Sequence, residues 1–229
     1  MDSLWYPRDA GLPKLLDKRK IERAPVIEVI KKQPKEIILS ALLRMSHMAP
    51  FYIFTAFIFA YAVDTLQMSR DLILTAVIVS SCVGFITIPL SGHISDRIGR
   101  RRMYQVGAAS TGLFGFLYFA MVDTANPSVV FMAIVLSYIP VSMQYAPEAA
   151  FIAEAFTPRL RYSGASLGYH LASVIVGGPA PLIATALLAK FHSGYAISIY
   201  IAVCAAVGLS SAAFMPDYTG RDISMEYDD

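Results

Sequence analysis

The sequence predicts an all-α membrane protein with six transmembrane helices, and two observations lead to this fold class. Hydrophobic residues make up 56% of the 229 residues, more than an average soluble domain carries. Six tracts contain almost no charge, and each has about the 20 apolar residues that a helix needs to cross a hydrocarbon core. Lipid offers the backbone no hydrogen-bond partners, so each tract must be helical.

The six predicted spans divide the chain into three parts. Residues 1–36 form a cytoplasmic linker, residues 37–215 the transmembrane domain, and residues 216–229 a cytoplasmic tail. Within the linker, apolar residues at helical spacing predict two short amphipathic helices, near residues 12–16 and 26–30. The predicted spans are, in order, residues 37–63, 72–90, 103–122, 129–151, 164–189 and 196–215.

Basic residues are distributed unevenly between the two ends of these spans. Sixteen of the 19 Lys and Arg residues lie before the first span, after the second, after the fourth or in the tail. Arg70 and Lys190 lie at the opposite ends, and Arg44 lies inside the first span. Because positive charge accumulates on the cytoplasmic side of membrane proteins, we expect both termini in the cytoplasm. An even number of spans also places the two termini on one side.

Two ionisable side chains stand inside the first span. Counted from Ile37 at 1.5 Å per residue, Arg44 and His47 lie about 10 and 15 Å along the helix, and their spacing puts them on one face. An ionisable residue at this depth is costly and usually faces a partner or a water-filled cavity. Arg44 has an alternative, because its long side chain can reach the cytoplasmic headgroups, whereas His47 is too short to do so.

A glycine- and arginine-rich segment follows the second span, and we predict a tight cytoplasmic loop over residues 91–102 (SGHISDRIGRRR). Gly92 permits a close backbone approach, Gly99 permits a left-handed turn, and Asp96 can cap the next helix or pair with an arginine. The arginines could serve only to anchor the third span at the phosphate layer. That role, however, requires neither the glycines nor the aspartate.

The fourth and fifth spans contain polar residues and helix breakers. Tyr138 and Gln144 lie in the middle and cytoplasmic thirds of the fourth span, where polar side chains need partners, and Glu148 lies near its cytoplasmic end. The fifth span is interrupted near its centre, and such a break either lines a transport site or only kinks the helix for packing. The interrupting residues are Gly177, Gly178, Pro179 and Pro181.

Five segments together resemble a known transporter family. The segment GHISDRIGRR from Gly92 is similar to the signature loop of the major facilitator superfamily, which recurs between the second and third helix of each six-helix half. The other four resemble the metabolite:proton symporter branch of that family, which includes transporters of shikimate, α-ketoglutarate and proline or betaine. They are KRKIERAPVIEVIKKQPKEI from Lys18, FYIFTAFIFAYAV from Phe51, YAPEAAFIAEAFTPRLRYSGASLGYH from Tyr145 and GGPAPLIAT from Gly177.

The resemblance is to the second six-helix half of a twelve-helix transporter. It therefore implies a multi-pass protein of the cytoplasmic (inner) membrane, whose facing wall is supplied by a first half or by a second copy. It also implies that Gly92 and Gly99 belong to a gating hairpin, and that opposed charges pair across the cytoplasmic ends of the helices. The implied charge network consists of Asp96, Arg97, Arg100, Arg101, Glu154, Arg159 and Arg161.

The sequence departs from the branch at a few positions. Ala146 stands where glycine is expected, Glu148 and His170 each replace a common glutamine, and Thr157 and Pro158 stand in inverted order. The added carboxylate and imidazole could alter the choice of substrate or the coupling to protons. Alternatively, they could reflect relaxed constraint on the sequence of a remnant.

The predicted function is proton-coupled symport of a small organic acid or related metabolite, by alternating access between two six-helix halves. Arg44 would pair with an anionic group, and His47 could carry a proton. The alternative is a truncated membrane protein that does not transport and is a remnant or an assembly partner. The predicted wall of the substrate cavity is Arg44, His47, Tyr52, Tyr138, Gln144, Tyr145 and Tyr169.

Other classes of function are disfavoured. The four histidines show no metal-ligand spacing, so we expect neither a metal site nor a membrane-embedded enzyme. We expect no cofactor other than a proton as the coupling ion. Nucleic acid is not an expected partner, because membrane proximity explains the basic N-terminal segment. The expected partners are the lipid bilayer, the metabolite and a second six-helix unit.

Overall fold

A computed structural model describes residues 25–218, and every regular element in that part of the chain is helical. The predicted helix near residues 12–16 lies outside the described residues. A short helix, Pro25–Lys32, is present, with Val29 buried and Ile30 exposed. Six segments long and apolar enough to cross a membrane follow, here called the first to sixth spans: Pro34–Phe57, Arg70–Ile98, Arg100–Val122, Pro127–Glu154, Arg161–Phe191 and Gly194–Phe214.

The first and fifth spans change helix type along their length. The first is an α-helix over Pro34–Tyr52 and ends as a π-helix over Ile53–Phe57, and a further π-helix, Ala60–Thr65, follows it. The fifth is an α-helix over Arg161–Ala172, a π-helix over Ser173–Gly177 and an α-helix again over Pro179–Phe191. Gly178 keeps helical backbone angles between the last two segments. The predicted interruption of the fifth span is therefore a widened turn within a continuous helix.

The prediction of a loop over residues 91–102 is wrong. The second span continues as a helix to Ile98 and the third begins at Arg100, so Gly99 alone separates them. Gly99 has a φ of 100°, a conformation that residues with a Cβ rarely adopt, and this lets one residue turn the chain. Gly92 lies inside the helix, and a Cβ on it would meet no atom within 4 Å. The predicted close approach at Gly92 does not occur among residues 25–218.

Helix packing leaves two spans largely uncovered. The third span packs on the fourth and sixth, the second on the fourth, and the first on the fifth and sixth. Small residues allow close contact: a Cβ on Gly107 would lie 2.8 Å from the backbone of Gln144, and one on Gly112 would lie 3.0 Å from Ala205. In an apolar 18-residue stretch of the second span only 22% is buried, and in one of the fifth span only 28%. Most of the surface of these two spans therefore faces outward.

Candidate functional site

A cavity of about 340 Å³ lies between the first, second and fourth spans. Five of the seven predicted wall residues line it. The first span contributes Arg44 and His47 because residues three apart share one helix face. The lining combines a few polar groups with aromatic and aliphatic side chains, as in sites that bind small molecules. The lining residues are Arg44, His47, Met48, Phe51, Tyr52, Ile88, Tyr138, Val141, Ser142 and Tyr145.

A buried ion cluster stands at the wall of this cavity. Arg44 donates from Nη1 to Oε1 of Glu148 over 3.0 Å, and Nδ1 of His47 lies 3.2 Å from Oε2 of the same carboxylate. The exposed fractions of Arg44, His47 and Glu148 are 8%, 5% and 1%. Arg44 therefore does not extend to the headgroups, because a carboxylate of the fourth span holds it inside the bundle.

Aromatic rings surround the cluster. The guanidinium of Arg44 lies 3.2 Å from the ring centroid of Tyr169, a cation–π contact that favours the charged arginine. The rings of Tyr145 and Phe51 lie 5.2 and 6.0 Å from the His47 ring. Tyr169 was predicted in the cavity wall, but it is absent from the lining of this cavity, and its ring packs against the guanidinium of Arg44 instead.

Gln144 was also predicted in the cavity wall, and the structure places it elsewhere. It is fully buried, accepts a hydrogen bond from Ser46 over 3.2 Å and donates to Thr111 over 2.6 Å. Its amide thus joins the first, third and fourth spans. The reason is the close approach of the third span at Gly107, which surrounds Gln144 with protein rather than cavity.

The widened turn of the fifth span lies behind the cavity wall. A Cβ on Gly177 would lie 2.7 Å from Cε of Met48 and 3.2 Å from the ring of Tyr52, so the turn packs on two residues of the wall. Gly178, Pro179 and Pro181 do not line the cavity.

The charges at the predicted cytoplasmic end are brought together in part. Arg100 forms an ion pair with Glu154 and another with Asp96, the latter over 3.4 Å. Arg161 donates from Nε to the carbonyl of Ala153 over 3.0 Å, and Arg101 donates to the carbonyl of Met215. These two arginines therefore hold helix ends through backbone oxygens as well. Arg97 is exposed, and Arg159 lies in the turn between the fourth and fifth spans.

Glu148, which contacts both Arg44 and His47, is absent from the predicted cavity wall. Its distance along the fourth span suggested a place near the cytoplasmic end, without showing which side of the helix it occupies. One signal was available: a carboxylate within an apolar span needs a partner, and Arg44 in the first span was a candidate.

Comparison with known proteins gives a family and several relatives. The family described as Major Facilitator Superfamily matches residues 3–223. The chain is 31% identical over 198 residues to the shikimate transporter of Escherichia coli (strain K12), covering 86% of this chain and 45% of the relative. It is 30% identical over 221 residues to a putative metabolite transport protein of Haemophilus influenzae (91% and 49% covered). It is 26% identical over 222 residues to a putative proline/betaine transporter of Staphylococcus aureus (strain MSSA476) (90% and 47%).

These relatives are transport proteins rather than enzymes by name, and each is longer than this chain. The chain spans about half the length of the curated relatives it matches. No solved structure matches it.

Proposed function

Because this chain belongs to the major facilitator superfamily, we propose that it forms one half of a proton-coupled symporter for small organic acids or related metabolites. It is a multi-pass membrane protein, and residues 25–218 contain six helices long and apolar enough to cross a membrane, as in half of that family's fold. The proposed membrane is the cytoplasmic (inner) one, with both termini in the cytoplasm. A second six-helix unit, either a first half or another copy, supplies the facing wall.

The observation that carries this proposal is the presence of Arg44 on the wall of a cavity inside a membrane protein. A guanidinium has five hydrogen-bond donors in a planar arrangement that matches a carboxylate. The attraction between the two charged groups is stronger where water is scarce. Tyr138 and Tyr145 offer hydroxyl groups for the remaining polar atoms of a ligand. The relative named shikimate transporter supports a small carboxylate as the ligand class.

The outward-facing second and fifth spans support the proposal of a second unit. Their exposed side chains include Phe85, Ile86, Val174 and Leu182, each more than 70% exposed. Such a surface is suited to lipid or to another apolar helix face. Rocking of two units against each other would open the cavity to each side in turn.

The first test measures binding of labelled shikimate to the purified chain in lipid nanodiscs. Arg44→Gln is expected to lower the affinity at least tenfold, because the ligand loses its charged partner. Arg70→Gln, at the outer end of the second span, is the matched control and is expected to bind normally. If the unmodified chain binds neither shikimate nor α-ketoglutarate, the result would favour the alternative, a membrane protein that does not transport.

The second test addresses the need for a facing wall. Proteoliposomes that contain only this chain as a monomer are expected not to accumulate labelled shikimate or α-ketoglutarate. A fusion of the first six helices of the Escherichia coli shikimate transporter to this chain is expected to restore uptake driven by an inward proton gradient. Uptake by the chain as an established monomer would contradict the proposed half.

A further inference from the structure

We propose that Glu148 and His47 form a proton-binding site that determines whether Arg44 is free to bind a carboxylate ligand. This inference rests on the proposed function, and it names the proton carrier and the stoichiometry: one proton for each carboxylate. The observation behind it is that the cation on the cavity wall already has a carboxylate of its own.

The buried carboxylate is the competitor of any anionic ligand. Glu148 is 1% exposed and does not line the cavity, whereas Arg44 lines the cavity and contacts both Glu148 and Tyr169. While Glu148 is ionised, the cluster has no net charge, and an entering carboxylate would add an unpaired negative charge in a poorly solvated place. That charge is costly, so ligand binding requires the negative charge of Glu148 to be removed.

His47 connects Glu148 to the cavity. Its Nδ1 and the Oε2 of Glu148 are buried and lie 3.2 Å apart, and each is without a hydrogen-bond partner among the described residues. One hydrogen between these two atoms satisfies both. Because His47 lines the cavity and Glu148 does not, a proton from the cavity reaches Glu148 through the imidazole. Imidazole suits this role, since it can accept a proton at one nitrogen and release another from the second.

The charges balance at each step. In the resting state Arg44 is positive, Glu148 is negative and His47 is neutral, with its proton on Nδ1, the nitrogen that lies 3.2 Å from Oε2. A proton enters from the cavity onto the imidazole, and the Nδ1 proton passes to Glu148. Arg44 then lacks its counterion and pairs with the ligand carboxylate. One proton and one carboxylate have entered, so the net charge of the cluster is again zero.

The other titratable groups around the pair do not replace this carrier. Tyr104 of the third span donates its hydroxyl to the carbonyl of Leu43 over 2.6 Å, and Tyr169 of the fifth span lies under Arg44. The ring of Tyr145, on the same helix as Glu148, lies 5.2 Å from the His47 ring at an angle of 34°. Tyrosines are neutral over the physiological pH range, so Arg44, His47 and Glu148 are the groups whose charges decide the state of the site.

The proton site is tested first without any ligand. Infrared difference spectra of the full chain in nanodiscs, recorded between neutral and acidic pH, are expected to show a carboxylic acid C=O band from a buried group. Glu148→Gln, which is nearly isosteric, removes this band, and His47→Asn shifts it. Asp71→Asn, at the outer end of the second span, is the matched control and leaves the band unchanged. A spectrum in which Glu148→Gln alters nothing would overturn the proposal.

The competition is tested by binding of labelled shikimate as a function of pH. Because one proton is taken up with each ligand, the dissociation constant of the unmodified chain rises up to tenfold per pH unit as the pH increases. In Glu148→Gln the dissociation constant is lower at neutral pH and nearly independent of pH. Equal pH dependence in the two proteins would contradict the competition. If neither protein binds at any pH, the proposed function fails, and the infrared band still decides the proton site.

Discussion

At the scale of single residues, the environment of an ion pair decides its contribution to stability. Arg100 pairs with two carboxylates: the side chain of Glu154 is 8% exposed, whereas that of Asp96 is 63% exposed. An exposed pair is weakened by water and salt, whereas a buried carboxylate that loses its charge leaves a cation poorly solvated. The two partners of Arg100 therefore provide an internal comparison.

Glu154→Gln is expected to destabilise the protein by about 1–2 kcal/mol, since Arg100 retains Asp96 and some solvent. Asp96→Asn, the control, is expected to change stability by less than about 0.5 kcal/mol. Thermal unfolding of both variants in the same detergent measures the difference. Similar unfolding midpoints for the two variants would contradict this ranking.

Sequence reasoning at this scale found the cationic side of the site but not its anionic side. Arg44 and His47 could be placed on one face because helical periodicity fixes neighbours three residues apart. Glu148 lies 104 positions from Arg44 along the chain, and their contact depends on how two helices are rotated and shifted relative to each other. Gln144 was misplaced for the same reason. Periodicity within a helix carries no information about this relation.

At the scale of helices, close contacts depend on residues without a side chain. A Cβ on Gly208 of the sixth span would lie 2.3 Å from Cβ of Ser46 and 2.9 Å from the hydroxyl of Tyr104. Ser46 also donates to Gln144, and Tyr104 donates to Leu43, so neither side chain can move without losing a hydrogen bond. The first, third and sixth spans meet at this point.

Gly208→Ala is therefore expected to cost about 1–3 kcal/mol, because the added methyl group must push apart well-packed helices. Gly92→Ala is the matched control: it lies in a helix with no atom within 4 Å of the new methyl group, and alanine favours the helix. The unfolding midpoint should fall in the first variant and stay equal or rise in the second. A Gly208→Ala protein as stable as the unmodified chain would refute the tight contact.

The helices and the tight turn at Gly99 were predictable from the sequence, but the extent of the helices on either side of that turn was not. The apolar tracts predict the six spans because the thickness of the membrane fixes the number of apolar residues that a spanning helix needs. The segment around Asp96 and the arginines was read as a loop because it is polar. A helix can continue beyond the apolar layer, however, as long as its polar side chains reach water, and it does so until Gly99.

At the scale of the whole molecule, the distribution of basic residues predicts an orientation. The turn at Gly99 carries Arg97, Arg100, Arg101 and Arg102, and the short helix before the first span carries Lys31 and Lys32. Both regions are at the same end of the six-span bundle, since two spans separate them. The positive-inside rule predicts that this end lies in the cytoplasm.

Arg97→Cys provides the test, because Arg97 is exposed and stands next to the turn. The variant is made together with Cys82→Ala and Cys204→Ala, so that the new thiol is the only one. An impermeant thiol reagent is expected to label it in inside-out membrane vesicles and not in intact cells. Labelling in intact cells would show that the protein has the opposite orientation. Asp71→Cys in the same cysteine-free background is the control for the outer side.

The π-helical turns at and just beyond the C-terminal end of the first span change the direction in which the later side chains point. A π turn holds more residues than an α turn, so each one shifts the later side chains around the helix axis relative to a regular helix. A helical wheel drawn with one uniform period from Pro34 therefore assigns residues beyond Ile53 to the wrong sector. The wheel remains valid through Arg44 and His47. Phe57 and Tyr61 need a separate helical wheel with its own starting angle.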